Sequence, residues 1–381
     1  MSEQAIQDAR FMARALYLAR KGLYTTDPNP RVGCVLVKNG KIIGEGWHKK
    51  AGEAHAEIDA LNNLTENPAG ATAYVTLEPC SHHGKTPPCC EALIKAGVKR
   101  VVAAMQDPNP LVVGKGFQIL EQAGISVEFG ILEADAQDLN RGFIQRMTQG
   151  LPFVRSKLAM SLDGRTAMAS GESKWITSPE SRADVQRLRA ESSAILTGIN
   201  TVLKDDPSLT SRIDRDVKQP VRVVLDSKLQ MPPSAKMLTL PGRTIILTCE
   251  DENTVRPESF DSAQEIHVEE QKAKLQKLQN VGAEVYQLPE KKGRLNLIEV
   301  MKFLAGQEIN EVLVEAGAVL NGALLTENLV DEWVIYMAPK ILGDKGRGLF
   351  HLPRLDKLAD CKEMIFNSFQ SVGKDLKLTL K

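Results

Sequence analysis

Three short segments of this chain carry residue types that could act together on one substrate. His55-Ala56-Glu57 opens an apolar-periodic stretch, Glu78-Pro79-Cys80 closes a β-rich run, and Cys89-Cys90 begins a second helical pattern. One imidazole and two thiolates make the ligand count of a catalytic zinc site, three protein donors with one position left for water. Zinc in such a site brings the pKa of water from about 15.7 down to about 7. An acid two residues after the histidine can take that proton and pass it to a leaving amine. The order H-x-E…P-C-x-x-C is the signature of hydrolytic deamination at an amidine-like carbon of a heterocycle. A lone H-x-E or a lone Pro-Cys pair means little. The weight lies in the sequence of a helix start, a strand end and a second helix start.

The spacing departs from the signature at one point. The run reads PCSHHGKTPPCC, so an insertion separates Cys80 from the next cysteine. Its residues, Ser81 to Thr86, are substrate-facing types rather than core types. Cys89 is preferred as the third ligand, with Cys90 packed inside at the helix start. His82 and His83 stand as alternative ligands.

These residues need a scaffold to bring them together. Met12, Ala15, Leu16 and Ala19 recur at helical spacing and Gly22 stops them. Two β-rich runs flank Asn39-Gly40, a strong hairpin signal. Ile58, Leu61 and Leu64 then form one helical stripe behind His55. Strands ATAYVTL, RVVAAM and ISVEFGIL alternate with helices PPCCEALIKAG and GKGFQILEQAG. That alternation predicts an α/β fold with a parallel portion. A boundary falls in the TQGLP segment between Thr148 and Pro152, giving units 1–148 and 149–381. The second unit is again α/β: strands FVRSKLAMS, SAILTG, PVRVVLDS, TIILT and EVLVEAG, with helices over SPESRADVQRLRA, LNLIEVMKFLAG and VLNGALLTENL. The charged stretch from Asp251 to Asn280 reads as a solvated surface element, helical towards its end.

Composition narrows the classes. The 381 residues carry 48 Lys+Arg against 48 Asp+Glu, with 43% hydrophobic and 25% charged residues. That balance excludes intrinsic disorder and argues against a dedicated nucleic-acid binder. No run approaches a membrane span and no secretory signal opens the chain. A cytoplasmic protein is expected. Six cysteines are too few for a disulfide scaffold, so the clustered ones read as ligands or catalytic thiols.

The second unit lacks the G-x-G-x-x-G fingerprint after its first strand. Gly317 sits between a strand end and a helix start, where free backbone N–H groups suit a pyrophosphate. An ordinary strand-to-helix turn is the equal alternative. Trp175 could stack on an aromatic ring or fill a core. Arg189 and Arg212 suit a phosphate, or stand as a helix end and a loop cation.

Thr26 to Cys34 (T-x-x-N-P-x-V-G-C), His55 to Glu57 and Pro79 to Cys89 (P-C-S-H-x-G-x-T-P-P-C) together resemble the deaminase half of the bifunctional riboflavin-biosynthesis deaminase/reductase family. SLDGRTA, GESKWITS, TVLKDDPSLTSR, VVLDS and VEAGA extend the resemblance to its reductase half, so it covers essentially the whole chain. The resemblance implies a cytidine-deaminase-like zinc domain followed by a dihydrofolate-reductase-like domain. It implies Zn2+ on His55, Cys80 and Cys89, Glu57 as proton shuttle, and substrate contacts at Asn29, His48 and Lys85. It implies NADPH contacts at Ala159, Trp175, Thr201, Asp205, Ser227 and the turn Gly317, Ala318, Val319, Leu320, Asn321, Gly322 and Ala323. Ser173, Arg189, Leu209, Arg212 and Glu315 are implied as substrate contacts of the reductase. Ala316 stands where the family often has a glycine. The expected partners are small pyrimidine ribosyl phosphates, with no nucleic acid and no membrane, and a homo-oligomer is compatible. The competing reading is a nucleic-acid-editing zinc deaminase with an accessory domain.

Overall fold

The computed structural model describes residues 2–81, 88–110, 112–249, 262–353 and 355–381. The chain forms two compact units: up to Leu151 together with Asp216–Lys218, and Pro152–Arg215 with Gln219–Lys381. The division after Leu151 falls slightly later than 148, because the last helix of the first unit runs to Gln149 and ends on Gly150 at φ 67°.

The first unit contains α1 (Glu3–Ala19), β1 (Gly33–Lys38), β2 (Lys41–Trp47), α2 (Ala56–Asn62), β3 (Thr72–Val75), α3 (Cys89–Lys95), β4 (Arg100–Ala103), α4 (Lys115–Gln122), β5 (Ser126–Phe129), α5 (Glu133–Leu139) and α6 (Arg141–Gln149). Its sheet order is β2-β1-β3-β4-β5. β1 pairs antiparallel with β2 and β3, whereas β3, β4 and β5 run parallel. Alternation along β1 splits the core between two faces. Val35 and Val37 pack with Phe11, Met12 and Leu16 of α1, and Cys34 and Leu36 pack with Ala60, Leu93 and Leu120 of α2, α3 and α4.

The approach of α2 to the sheet departs from the expected stripe. Ile58, Leu61 and Leu64 are only half-buried, and Leu64 lies beyond the helix end. The buried face is Ala56, Glu57, Asp59 and Ala60. Gly46 permits this: a Cβ there would stand 2.2 Å from the Ala60 nitrogen and 2.5 Å from the Ala56 oxygen. The helix therefore lies against bare backbone, and the acid of His55-Ala56-Glu57 is drawn inside.

The second unit contains β6 (Phe153–Ser161), β7 (Arg165–Ala167), α7 (Pro179–Glu191), β8 (Ala194–Gly198), α8 (Ile199–Asp205), β9 (Val221–Leu225), β10 (Thr244–Cys249), α9 (Ser262–Asn280), β11 (Glu284–Leu288), α10 (Leu297–Gly306), β12 (Glu311–Val314), α11 (Ala318–Thr326), β13 (Glu332–Ala338), β14 (Arg347–Gly348), β15 (Phe366–Val372) and β16 (Asp375–Leu380). Nine strands form one sheet in the order β11-β10-β9-β8-β12-β6-β13-β16-β15. The run from β11 to β13 is parallel, and β16 and β15 add an antiparallel hairpin at one edge. β11, β13, β15 and β16 go beyond the strands expected from sequence. Part of the charged stretch before α9 lies outside the described residues. Ser178 caps α7, its hydroxyl accepting from the Ser181 amide. Among the described residues no helix is long and apolar enough to cross a membrane.

Candidate active sites

In the first unit, three sequence-distant donors meet. His55 is the N-cap of α2, Cys80 follows the end of β3, and Cys89 is the first residue of α3. His55 Nδ1 lies 3.5 Å from Cys80 Sγ and 3.3 Å from Cys89 Sγ. The three donor atoms all fall within 4.8 Å of one another. Bond lengths of about 2.0 Å to nitrogen and about 2.3 Å to sulfur give a tetrahedral N···S edge of about 3.5 Å. The donor set therefore fits zinc in kind, number and spacing. Cys90, one residue on, is fully buried in the apolar cluster with Leu93 and Ala56.

Glu57 lies in the first turn of α2 and is 3% exposed. Burial, and then the charge of Cys80, push its carboxyl up to about 7, the range of a group that holds and releases a proton near neutrality. Hydrogen bonds from Cys89 and His55 hold Cys80 towards thiolate.

Asn29 and His48 stand together. Asn29 Nδ2 is 3.0 Å from His48 Nε2, and His48 Nδ1 is 3.0 Å from the Ala54 carbonyl. A carbonyl accepts only, so Nδ1 carries the hydrogen and Nε2 accepts from the Asn29 amide. Both ring nitrogens are thus engaged within the protein, and His48 is 3% exposed. His48 thereby holds the side chain of Asn29, the other expected substrate contact on this side of the site. Its ring stacks edge-on to that of His55, with centroids 5.4 Å apart. Lys85, His82 and His83 lie outside the described residues.

In the second unit a cleft of about 2160 Å³ opens at the carboxyl ends of the parallel strands, where open α/β sheets bind ligands. Ala159 lines it from β6, Ser173 and Trp175 from the loop before α7, and Arg189 from α7 itself. Thr201 and Asp205 reach it from α8, Leu209 and Arg212 from the following loop, and Ser227 from beyond β9. Glu315, Gly317, Ala318, Val319, Leu320 and Ala323 close it after β12. Trp175 is 64% exposed, which removes the core-filling alternative, and Arg182 lies over its ring at 4.6 Å.

Two members of the Gly317 turn do not line the cleft. Asn321 is fully buried; its amide donates to the Ala316 and Gly317 carbonyls at 2.9 and 3.2 Å and its oxygen accepts from Ser156. Gly322 packs against the His351 backbone, whose oxygen would stand 2.3 Å from a Cβ there. They brace the turn from behind.

The arginines divide their work. Arg189 forms a fork on Glu315 at 2.6 and 2.9 Å and donates to the Thr210 carbonyl at 3.1 Å. Arg212 is exposed and, among the described residues, makes one long side-chain bond, 3.4 Å to the Thr210 hydroxyl. Lys157, not singled out from sequence, projects from β6 into the same cleft. Burial lowers its pKa, with Glu315 opposing and Arg189 adding to the effect. The strand FVRSKLAMS also carries Arg155, Ser156 and Ser161, so the letters alone do not single Lys157 out. Lys228, Lys291, Lys292 and Arg294 also line the cleft; their neighbour Leu295 donates its amide to Ser227 at 3.3 Å.

A cysteine-histidine metal centre and a separate dinucleotide-sized cleft in one chain define a two-domain deaminase-reductase. Family comparison agrees: residues 5–105 match the cytidine and deoxycytidylate deaminase zinc-binding region, and residues 152–378 match the RibD C-terminal domain. Riboflavin biosynthesis protein RibD of Escherichia coli is 49% identical over 98% of this chain and 99% of its own. That of Haemophilus influenzae is 49% identical over 100% and 98%. The solved Acinetobacter baumannii RibD (form 2) superposes with a TM-score of 0.87 at 43% identity, covering 99% of both chains. A Thermotoga maritima diaminohydroxyphosphoribosylaminopyrimidine deaminase/5-amino-6-(5-phosphoribosylamino)uracil reductase gives 0.84 at 33%, covering 100% and 99%. The chain belongs to the RibD family of riboflavin-biosynthesis proteins. It is a bifunctional enzyme, a zinc deaminase joined to an NADPH-dependent reductase. The full-length match favours this over a nucleic-acid-editing deaminase.

Proposed function

We propose that the first unit deaminates 2,5-diamino-6-(5-phosphoribosylamino)pyrimidin-4-one and that the second reduces the resulting 5-amino-6-(5-phosphoribosylamino)uracil to its ribityl form. The observation that carries this is the convergence of His55, Cys80 and Cys89 beside a buried acid with a raised pKa. Those three residues hold the zinc. Zinc, when bound, supplies the Lewis acidity that makes water nucleophilic near neutral pH. Glu57 takes the proton of the attacking water and delivers it to the departing amine; the C2–N bond breaks and ammonia leaves. Asn29, its amide turned by His48, meets the pyrimidine edge, and Lys85 meets the phosphate.

In the second unit the cleft residues named above orient cofactor and substrate. NADPH, when bound, supplies a hydride to ribosyl C1 in its open-chain form. Lys157 bears the proton that ring opening requires, held in place beside Glu315 and Arg189. Arg212 binds the 5′-phosphate, since Arg189 is committed to Glu315. Lys228, Lys291, Lys292 and Arg294 favour the 2′-phosphate of NADPH over NADH. The balanced net charge supports a small-molecule substrate rather than nucleic acid, and the enzyme is placed by this reading in the cytoplasm. The edge strand β15 supports a homo-oligomer, since Ile365 beside it and its own Phe366 and Phe369 are 76%, 63% and 76% exposed. Sedimentation only as a 41.8 kDa species would contradict that.

A coupled assay tests the function. Purified protein given the diaminopyrimidine phosphate should oxidise NADPH, and a zinc chelator should abolish this. Supplying the deaminated intermediate should restore NADPH oxidation under the chelator. Oxidation that ignores the chelator with the first substrate would sink the deaminase assignment.

A further inference from the structure

Glu78 is 4% exposed, and among the described residues no cation pairs with it. Its carboxylate is taken up by backbone. One oxygen accepts from the Asp107 amide at 3.1 Å and the Gly114 amide at 3.0 Å, and the other accepts from the Gly116 amide at 2.9 Å. Its own N–H donates to the Met105 carbonyl at 3.0 Å. Gly114 is the N-cap of α4, so the carboxylate satisfies donors that a helix start leaves orphaned, at the end where the dipole favours an anion.

The clamp acts two residues from a metal donor. After Glu78 come Pro79 and Cys80, and α4 packs directly on that turn: a Cβ on Gly116 would stand 2.1 Å from the Pro79 oxygen. On the other side, the Cys80 carbonyl accepts from the Cys90 amide at 3.3 Å, and Cys80 Sγ accepts from the Cys89 amide at 3.3 Å. Cys80 therefore hangs between two helix starts, tied to α3 through its own atoms and to α4 through Glu78. With the carboxylate removed, the α4 side of that suspension is free to shift.

We propose that Glu78 is a positioning residue for the metal centre: by clamping the backbone at Asp107, Gly114 and Gly116 it sets the Pro79-Cys80 turn, and with it the place of Cys80 Sγ. It touches neither zinc nor substrate. The proposal rests on the reading of His55, Cys80 and Cys89 as the zinc ligands.

The test is the zinc dissociation constant of the full chain, measured by competition with a chelator of known affinity. Glu78→Gln keeps the shape but sets an amide against at least one of the three N–H donors. Its constant should rise about 10-fold, and that of Glu78→Ala towards about 100-fold, the range found when partners of metal ligands are lost. Gly116→Ala disturbs the same contact with Glu78 intact and should shift the constant in the same direction. Reductase turnover with the deaminated intermediate should be unchanged in all three. A merely structural glutamate would lower the melting temperature of zinc-free protein and leave the zinc constant of the folded variants at the wild-type value; that result overturns the proposal. Wild-type protein without zinc affinity would instead overturn the ligand assignment beneath it.

Discussion

At the scale of the residue, burial decides which acid can move protons. Glu57 is enclosed, and the loss of solvent raises its pKa to about 7, where both protonation states are populated at neutral pH. Glu57→Gln should keep zinc and lose about 10²- to 10⁴-fold in deaminase kcat, read as ammonia release beside metal content. Full turnover in that variant would remove the shuttle. Arg212 makes a different claim. Because Arg189 is held by Glu315, Arg212→Ala should raise the KM of the reductase substrate about 10- to 100-fold with kcat largely kept, the loss of a charge-assisted hydrogen bond. An unchanged KM would return the phosphate to Arg189. At this scale the sequence was readable where chemistry constrains residue type: His, Glu, Cys, Cys in order. It was less readable where role depends on a neighbour. Nothing in the letters shows that both nitrogens of His48 are used, that Asn321 braces the turn from behind, or that Lys157 faces the cleft.

Among elements, the deaminase unit depends on how its helices meet the sheet. Asp8 of α1 accepts from Arg100 of β4 at 2.8 and 2.8 Å and from Tyr74 of β3 at 2.6 Å. The Arg100 bonds hold its carboxyl at about 2, against burial. A folded pKa below the unfolded value means stability that is complete above about pH 4 and lost as pH falls through about 2. Asp8→Asn should therefore cost about 2 kcal/mol at pH 7 in urea unfolding, with a deficit that shrinks as pH falls from about 4 to about 2. A deficit independent of pH would show that the ion pair is not the source. Elements with full periodicity were legible: α1, the Asn39-Gly40 hairpin, β6 and α7. The stripe on α2 misled because a helix against bare glycine backbone buries its small residues instead of its large ones. β15 is exposed along its first six residues and β11 is half-buried and short, so neither shows a buried alternation. β13 carried a readable run from Trp333 to Met337 that the strand pattern left out.

For the whole molecule, each unit has its own sheet, its own core and its own chemistry. The metal donors all come from the first unit, and every residue lining the large cleft comes from the second. Loss of the metal centre should therefore leave the reductase intact. The most direct measurement is zinc content by elemental analysis of the wild-type chain and Cys89→Ser, each assayed for both reactions. The account predicts one zinc per wild-type chain, and a variant that loses zinc and deamination but reduces the deaminated intermediate normally. Active wild-type protein without zinc, or a zinc-replete Cys89→Ser chain, would contradict it.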